Sequence, residues 1–132
     1  LWQRYEVTLD SAHKRLENGY KNGASILVAE HKGIISGFIW FVEKGAFHRS
    51  GYIMLIAIDP DLHHLGIGQA LMLEAEKIMF ETCNEIFLLV SHFNTSAQHF
   101  YSRLGYAHIG SIPDYIMNDI TELIFYKKKP SP

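Results

Sequence analysis

The stretch Ile56-Ala57-Ile58-Asp59-Pro60-Asp61-Leu62-His63-His64-Leu65-Gly66-Ile67-Gly68-Gln69-Ala70-Leu71-Met72 gives three structural instructions in a row. An apolar run predicts a buried strand, a polar loop containing Pro60 ends it, and two glycines one residue apart open a helical pattern. At such a turn several backbone N–H groups point the same way, at the positive end of the helix dipole. Gly66 and Gly68 carry no Cβ, so a ligand can approach the backbone there. The stretch reads as an anion site for a phosphate or pyrophosphate, with a purely structural turn as the competing reading. Two phosphate-binding motifs are excluded. A Walker loop needs Gly-Lys-Ser/Thr, which does not occur, and a dinucleotide fingerprint needs a small residue where Leu71 stands.

The frame around this stretch is modest. A chain of 132 residues has room for one domain and one core. A net charge of -2 gives no broad electrostatic case for nucleic acid. Cys83 is the one cysteine; it cannot form an internal disulfide and fits a reducing cytoplasm. No apolar run reaches membrane-spanning length, and no signal peptide is visible. The absence of an initiator Met suggests a trimmed or partial chain.

Along the chain, Leu9, Ala12, His13, Leu16 and Tyr20 recur at helical spacing, with Asp10 or Ser11 as cap and Gly23 as terminator. Strands are predicted over 25–30 and 34–42, joined by the tight turn His31-Lys32-Gly33, with Gly37 marking a bulge. Residues 43–50 read as a polar loop. Residues 51–58 and 85–91 read as central strands, apolar on both faces, separated by a helix over 65–82 whose face is Ile67, Leu71, Ala75 and Ile78. Strand, helix and strand make a β-α-β unit. A second helix is capped by Asn94, Thr95 or Ser96, carries Ala97, Phe100, Tyr101 and Leu104 on its apolar face, and ends at Gly105. Strands over 106–112 and 121–126 follow, then a solvated tail over 127–132.

Two segments together carry a family likeness. His63-His64-Leu65-Gly66-Ile67-Gly68 resembles the Gln/Arg-x-x-Gly-x-Gly/Ala signature of the GNAT superfamily of N-acetyltransferases, with His63 in place of the usual Gln or Arg. Asn94-Thr95-Ser96-Ala97-Gln98-His99-Phe100-Tyr101-Ser102-Arg103-Leu104-Gly105-Tyr106 is similar to that superfamily's second motif: Asn, a small residue, Ala, Phe-Tyr, then Leu-Gly-Phe/Tyr. The likeness runs from about Ser25 to Lys127. It implies an α/β fold with a mixed, mostly antiparallel sheet, helices on both faces, and a V-shaped split between the two parallel central strands. Cofactor then sits off the carboxyl ends of those strands. The family's opening strand is not evident, so residues 1–132 are expected to be one such domain without it. The edge this leaves suits a homodimer.

The likeness also implies roles. The backbone of Ile56, Ala57 and Ile58 is expected to pair with the pantetheine arm of acetyl-CoA and polarise the thioester carbonyl. Backbone N–H groups from His64, Leu65, Gly66, Ile67, Gly68 and Gln69, beside His63, are expected to hold the pyrophosphate. Asn94 is expected to contact the pantetheine, although its default role is a helix cap. Tyr101 is expected to protonate the leaving thiolate; by spacing alone it is a core tyrosine. Arg103 either meets the 3′-phosphate of CoA or is a solvated helix arginine. Some members carry a central-strand Glu where Tyr52 stands here, which leaves Glu43, His48, Asp114, Asp119 and Glu122 as candidates near the acceptor, or a water chain, to deprotonate the amine.

No metal site is expected. His63 and His64 are adjacent and cannot readily face one ion, and His92, His99 and His108 lack ligand spacing. No Gly-x-Ser-x-Gly elbow supports a serine hydrolase. Two function classes follow: an acetyl-CoA-dependent N-acetyltransferase acting on a small-molecule or peptide amine, and a non-catalytic acyl-CoA-binding module.

Overall fold

The computed structural model describes residues 24–132. The elements are β1 (Ser25–His31), β2 (Ile34–Ala46), β3 (Ser50–Ile58), a 3-10 helix (Pro60–Leu65), α1 (Ile67–Met79), β4 (Glu85–Ser91), α2 (Thr95–Arg103), β5 (Ala107–Pro113) and β6 (Thr121–Lys128). They form one six-stranded sheet in the order β1-β2-β3-β4-β6-β5. The helix expected over residues 9–23 lies outside the described residues. Within them, no helix is long and apolar enough to cross a membrane.

Every neighbouring pair is antiparallel except β3 and β4. That parallel pair touches at only three rungs, Gly51–Ile86, Tyr52–Phe87 and Ile53–Leu88. Beyond them β3 continues to Ile58 on β2, and β4 continues to Ser91 on β6. The expected V is therefore present, and it opens toward the carboxyl ends of both strands.

Local chemistry explains most boundaries. Lys32 and Gly33 both have positive φ (52° and 80°), the type I′ geometry that a two-residue hairpin turn requires. Asn94 accepts from the Ala97 N–H at 3.2 Å and is the true cap of α2, and Gly105 (φ 97°) ends the helix as expected.

Four expectations are corrected. Residues 43–50 are not a loop: β2 runs to Ala46, and the connection is only Phe47 to Arg49. A register shift between Val42 and Ala46 absorbs the extra residues. Gly45 allows it, because a Cβ there would lie 2.8 Å from the Val42 Cβ and 3.0 Å from that of Tyr52. Next, the bulge near Gly37 falls one residue earlier, on Ser36, where the pairing jumps from Ala29–Gly37 to Glu30–Ile35. Gly37 itself is required by crowding: a Cβ would meet the Ala57 carbonyl at 2.9 Å. Third, α1 spans Ile67–Met79 rather than 65–82, and it buries Leu71, Met72, Ala75, Glu76 and Met79. The apolar stripe is thus turned from the predicted one, and it includes a carboxylate.

Last, Lys127 is not a solvated tail. β6 continues through it, and its Nζ lies 2.8 Å from Glu76 Oε1. Tyr106 donates its hydroxyl to the other carboxylate oxygen at 2.8 Å. Both oxygens of this buried carboxylate are therefore paired, as burial demands. Register places Ile86 beside Lys127 and Leu88 beside Phe125. Glu76 and Met79 of α1 and Tyr101 of α2 pack on that same face, so both described helices share it.

Candidate active site

The fork between β3 and β4 opens into a cleft of about 1500 Å3. Its β3 wall contains Ile56, Ala57 and Ile58, all half-buried. Its far wall contains Val90, Ser91, Asn94 and Tyr101, and Arg103 lies exposed at the mouth. His63, Gly66, Gly68 and Gln69 border it at the start of α1. Ten of the sequence-predicted residues therefore meet in one place. Leu65 and Ile67 are not among the residues that line it. His64 belongs to the 3-10 helix.

The turn into α1 is built for an anion. Asp59 accepts from the Asp61 N–H at 3.0 Å and caps the 3-10 helix. Gly66 then takes φ 74°, which reverses the chain into α1. α1 has no side-chain cap and no acidic residue in its first turn. By position, the N–H groups of that turn have no acceptor within the helix, and they lie at the positive end of its dipole. By contrast, α2 has its cap, Asn94. The two glycines differ in purpose. A Cβ on Gly66 would meet nothing, whereas one on Gly68 would lie 3.3 Å from Phe100 Cζ. Gly68 thus makes room for α2 as well as for any ligand, a duty the motif did not reveal.

Tyr101 and Tyr106 lie side by side, with ring centroids 6.0 Å apart, yet their hydroxyls differ. Tyr106 donates to Glu76. Among the described residues the Tyr101 hydroxyl has no partner, and the residue lines the cleft while only 8 % exposed. Burial pushes the Tyr101 hydroxyl up to about 12, so it stays protonated throughout the neutral range.

Two residues that the motifs did not single out complete the cleft. Glu122 is 2 % exposed and accepts from the Ser91 hydroxyl at 3.0 Å. Tyr52 lines the same wall. Its hydroxyl is pushed up by burial, and then by the charges of Tyr115 and Glu122. Of the other base candidates, Asp114 accepts from the Asp119 N–H at 2.7 Å within an exposed loop. Glu43, His48 and Asp119 do not line the cleft. Sequence spacing could not tell which of these five lines the cleft, because that depends on the register of β6 against β4. Among the described residues no three His, Cys, Asp or Glu are grouped to hold a metal.

Comparison with known proteins agrees with this geometry. The sequence profile of the acetyltransferase (GNAT) family matches residues 1–106. An uncharacterized N-acetyltransferase of Methanocaldococcus jannaschii is 34% identical over 107 residues, covering 79% of this chain and 66% of that one. A mycothiol acetyltransferase of Thermobispora bispora is 27% identical over 104 residues, covering 75% of this chain and 35% of that one. The chain thus spans about two thirds or less of these relatives' lengths. In fold, it is similar to a PaiA N-acetyltransferase from Thermoplasma acidophilum solved with coenzyme A. The TM-score is 0.72 at 22% identity, over 97% of this chain and 76% of the other.

Proposed function

The chain belongs to the acetyltransferase (GNAT) family, and from that premise we propose that residues 1–132 act as one domain that moves an acetyl group from acetyl-CoA to a primary amine by direct attack on the thioester. The observation that carries this reading is Tyr101: a buried residue lining the cleft, with a protonated hydroxyl that has no partner among the described residues. A tyrosine kept only for packing would pair its hydroxyl, as Tyr106 does.

The residues present suit acetyl-CoA, which supplies the acetyl group and a thiolate leaving group. The uncapped first turn of α1 would hold the pyrophosphate through N–H groups of His64 to Gln69, with His63 beside it. Backbone groups of Ile56, Ala57 and Ile58 would extend the β3 ladder to the pantetheine. Asn94 uses Oδ1 for its cap, so its amide NH2 is the group it offers the cleft. Arg103, at the mouth, suits the 3′-phosphate. Tyr101 would donate a hydrogen bond to the departing sulfur. Because burial makes it a weaker acid than a free phenol, this donation to developing charge is its first contribution, ahead of complete proton transfer.

The same reading gives a cytoplasmic protein that uses no metal and has no nucleic-acid or membrane partner. Its acceptor is a small-molecule or peptide amine, and any homodimer would use the β1 edge. The second reading, a binding module without turnover, rests on Tyr52 standing where some members of the family carry a Glu.

Thiol release from acetyl-CoA over a panel of amines separates the two. Turnover is expected, and Tyr101→Phe should lower kcat by about 10²–10⁴-fold with little change in the acetyl-CoA KM. A Phe variant above about a third of wild-type kcat removes Tyr101 from the chemistry. A silent wild type that still binds CoA supports the module.

A further inference from the structure

We infer that Gln98 is a positioning residue for the transfer: its amide ties α2 to the carboxyl end of β4 and so fixes where Tyr101 stands across the fork. This rests on the acetyl-transfer reading above.

The end of β4 departs from a regular ladder. The His92 N–H donates to the Thr121 carbonyl at 2.9 Å, so the two residues stand at a hydrogen-bonded position of the antiparallel pair. A regular pair would return the bond, from the Thr121 N–H to the His92 carbonyl. Here the Thr121 N–H donates instead to His92 Nδ1 at 3.1 Å, and the His92 carbonyl accepts from Gln98 Nε2 at 3.0 Å. The same Nε2 donates to the Ser91 carbonyl at 3.3 Å. Ser91 pairs with Glu122 at the next position, where the backbone groups turn away from the partner strand. Its carbonyl therefore points away from β6, toward the fork. Both acceptors are carbonyls, which fixes the orientation of the amide and uses both of its N–H groups. One side chain thus replaces a ladder bond and closes the last fork-side carbonyl of β4.

α2 depends on this tie. It is nine residues long and buries one of them, Tyr101. Among the described residues no other side chain of α2 hydrogen-bonds to the sheet. The Asn94 cap holds the start of the helix, so the roll about its axis is set by the packing of Tyr101 and by Gln98. Gln98 and Tyr101 are three residues apart and are neighbours on the helix surface. The tie and the phenol therefore move together. Gln98 does not itself line the cleft. Its effect on the reaction passes through Tyr101, and a displacement of about 1 Å in a reacting group is enough to cost about 10²-fold in rate.

The test uses Gln98→Met, which keeps an unbranched chain of similar length and removes the donors, with Gln98→Ala as a second variant. We expect kcat to fall about 10–100-fold in both, with the acetyl-CoA KM unchanged. In a Tyr101→Phe background the same substitution should cost no more than about twofold, because the group it places is gone. A second measurement needs no turnover. Tyrosinate absorbance of the wild type minus that of Tyr101→Phe isolates Tyr101, whose midpoint is about 12. The same subtraction on the Gln98→Met protein should bring the midpoint down toward the ordinary value near about 10, as the ring loses its enclosure. Equal losses of kcat in the two backgrounds, a kcat within about threefold of wild type, or loss of the fold in both variants overturns the inference and leaves acetyl transfer intact. A wild type that releases thiol with no amine overturns the transfer reading instead. The Tyr101 midpoint then decides the rest: a lowered value upholds the tie between Gln98 and Tyr101, and an unmoved one overturns it.

Discussion

Two regions of this small domain each bury a glutamate and set a tyrosine next to it, and they use the pair in opposite ways. Under α1, Glu76 has both oxygens committed: Lys127 on one, Tyr106 on the other, each at 2.8 Å. Lys127 also lies over the Tyr106 ring, 5.7 Å from its centroid. That region is closed. In the fork, Glu122 accepts from a neutral hydroxyl, and the nearby tyrosines Tyr101 and Tyr52 face the cleft. The lesson is that burial does not distinguish structural from chemical polar groups, since both glutamates are at most 5 % exposed. What separates them is place: Glu76 is locked between Tyr106 and Lys127 beneath α1, whereas Glu122 lines the cleft.

That contrast can be broken by stability measurements. The largest effect is expected at Glu76. Its replacement by Ala leaves Lys127 and the Tyr106 hydroxyl without their partner. Loss of one member of a buried ion pair costs about 3–5 kcal/mol, which denaturant unfolding would detect. Ser91→Ala, by comparison, removes only a neutral hydroxyl donated to Glu122 and should cost about 0.5–1.5 kcal/mol. Equal losses at the two sites would erase the distinction.

A smaller effect sharpens it. Tyr106→Phe strands one oxygen of Glu76 and should cost about 1.5–3 kcal/mol. Tyr101→Phe removes a hydroxyl that has no partner among the described residues, so stability should move by no more than about 0.5 kcal/mol. A Tyr101 variant as unstable as the Tyr106 variant would show that its hydroxyl is a structural donor.

The smallest effect is confined to alkaline solution. A free tyrosine ionises near about 10. Burial moves Tyr101 up to about 12, and burial together with the Glu76 carboxylate moves Tyr106 higher still. The folded state therefore holds these protons more tightly than the unfolded chain does. Their stabilising contribution is complete below about pH 10 and is lost as pH rises through about 12 and beyond. Tyrosinate absorbance should show Tyr101 titrating before Tyr106, and Glu76→Gln should bring the two closer together.

Much of this was legible in the sequence. Strand limits at Ser25, Glu85 and Ser91 follow from apolar runs bounded by polar residues, and the caps Asn94 and Gly105 follow from local chemistry. The fork was expected as well, through the paired motifs. The misses share one cause. The β2–β3 register shift, the buried Lys127 and the placement of Glu122 all depend on which residue stands opposite which in another strand, and periodicity within one segment carries no such information. Glu76 was hidden for the same reason: a charged residue on a helix reads as solvated until its partner on β6 is known.

The insertion of β6 between β4 and β5 has a consequence for how the protein is made. A chain emerging from its N-terminus delivers β4 and β5 before β6, but neither can join the other. Each keeps an open flank until Thr121–Lys128 arrives to lie between them. Those flanks are sticky in the interim. The same late strand delivers Lys127 to Glu76 and Glu122 to Ser91. Completion of the core and arrival of Glu122 at the cleft are thus a single event, so a partly synthesised chain has the turn at α1 but neither the closed underside nor the Glu122 wall of the cleft.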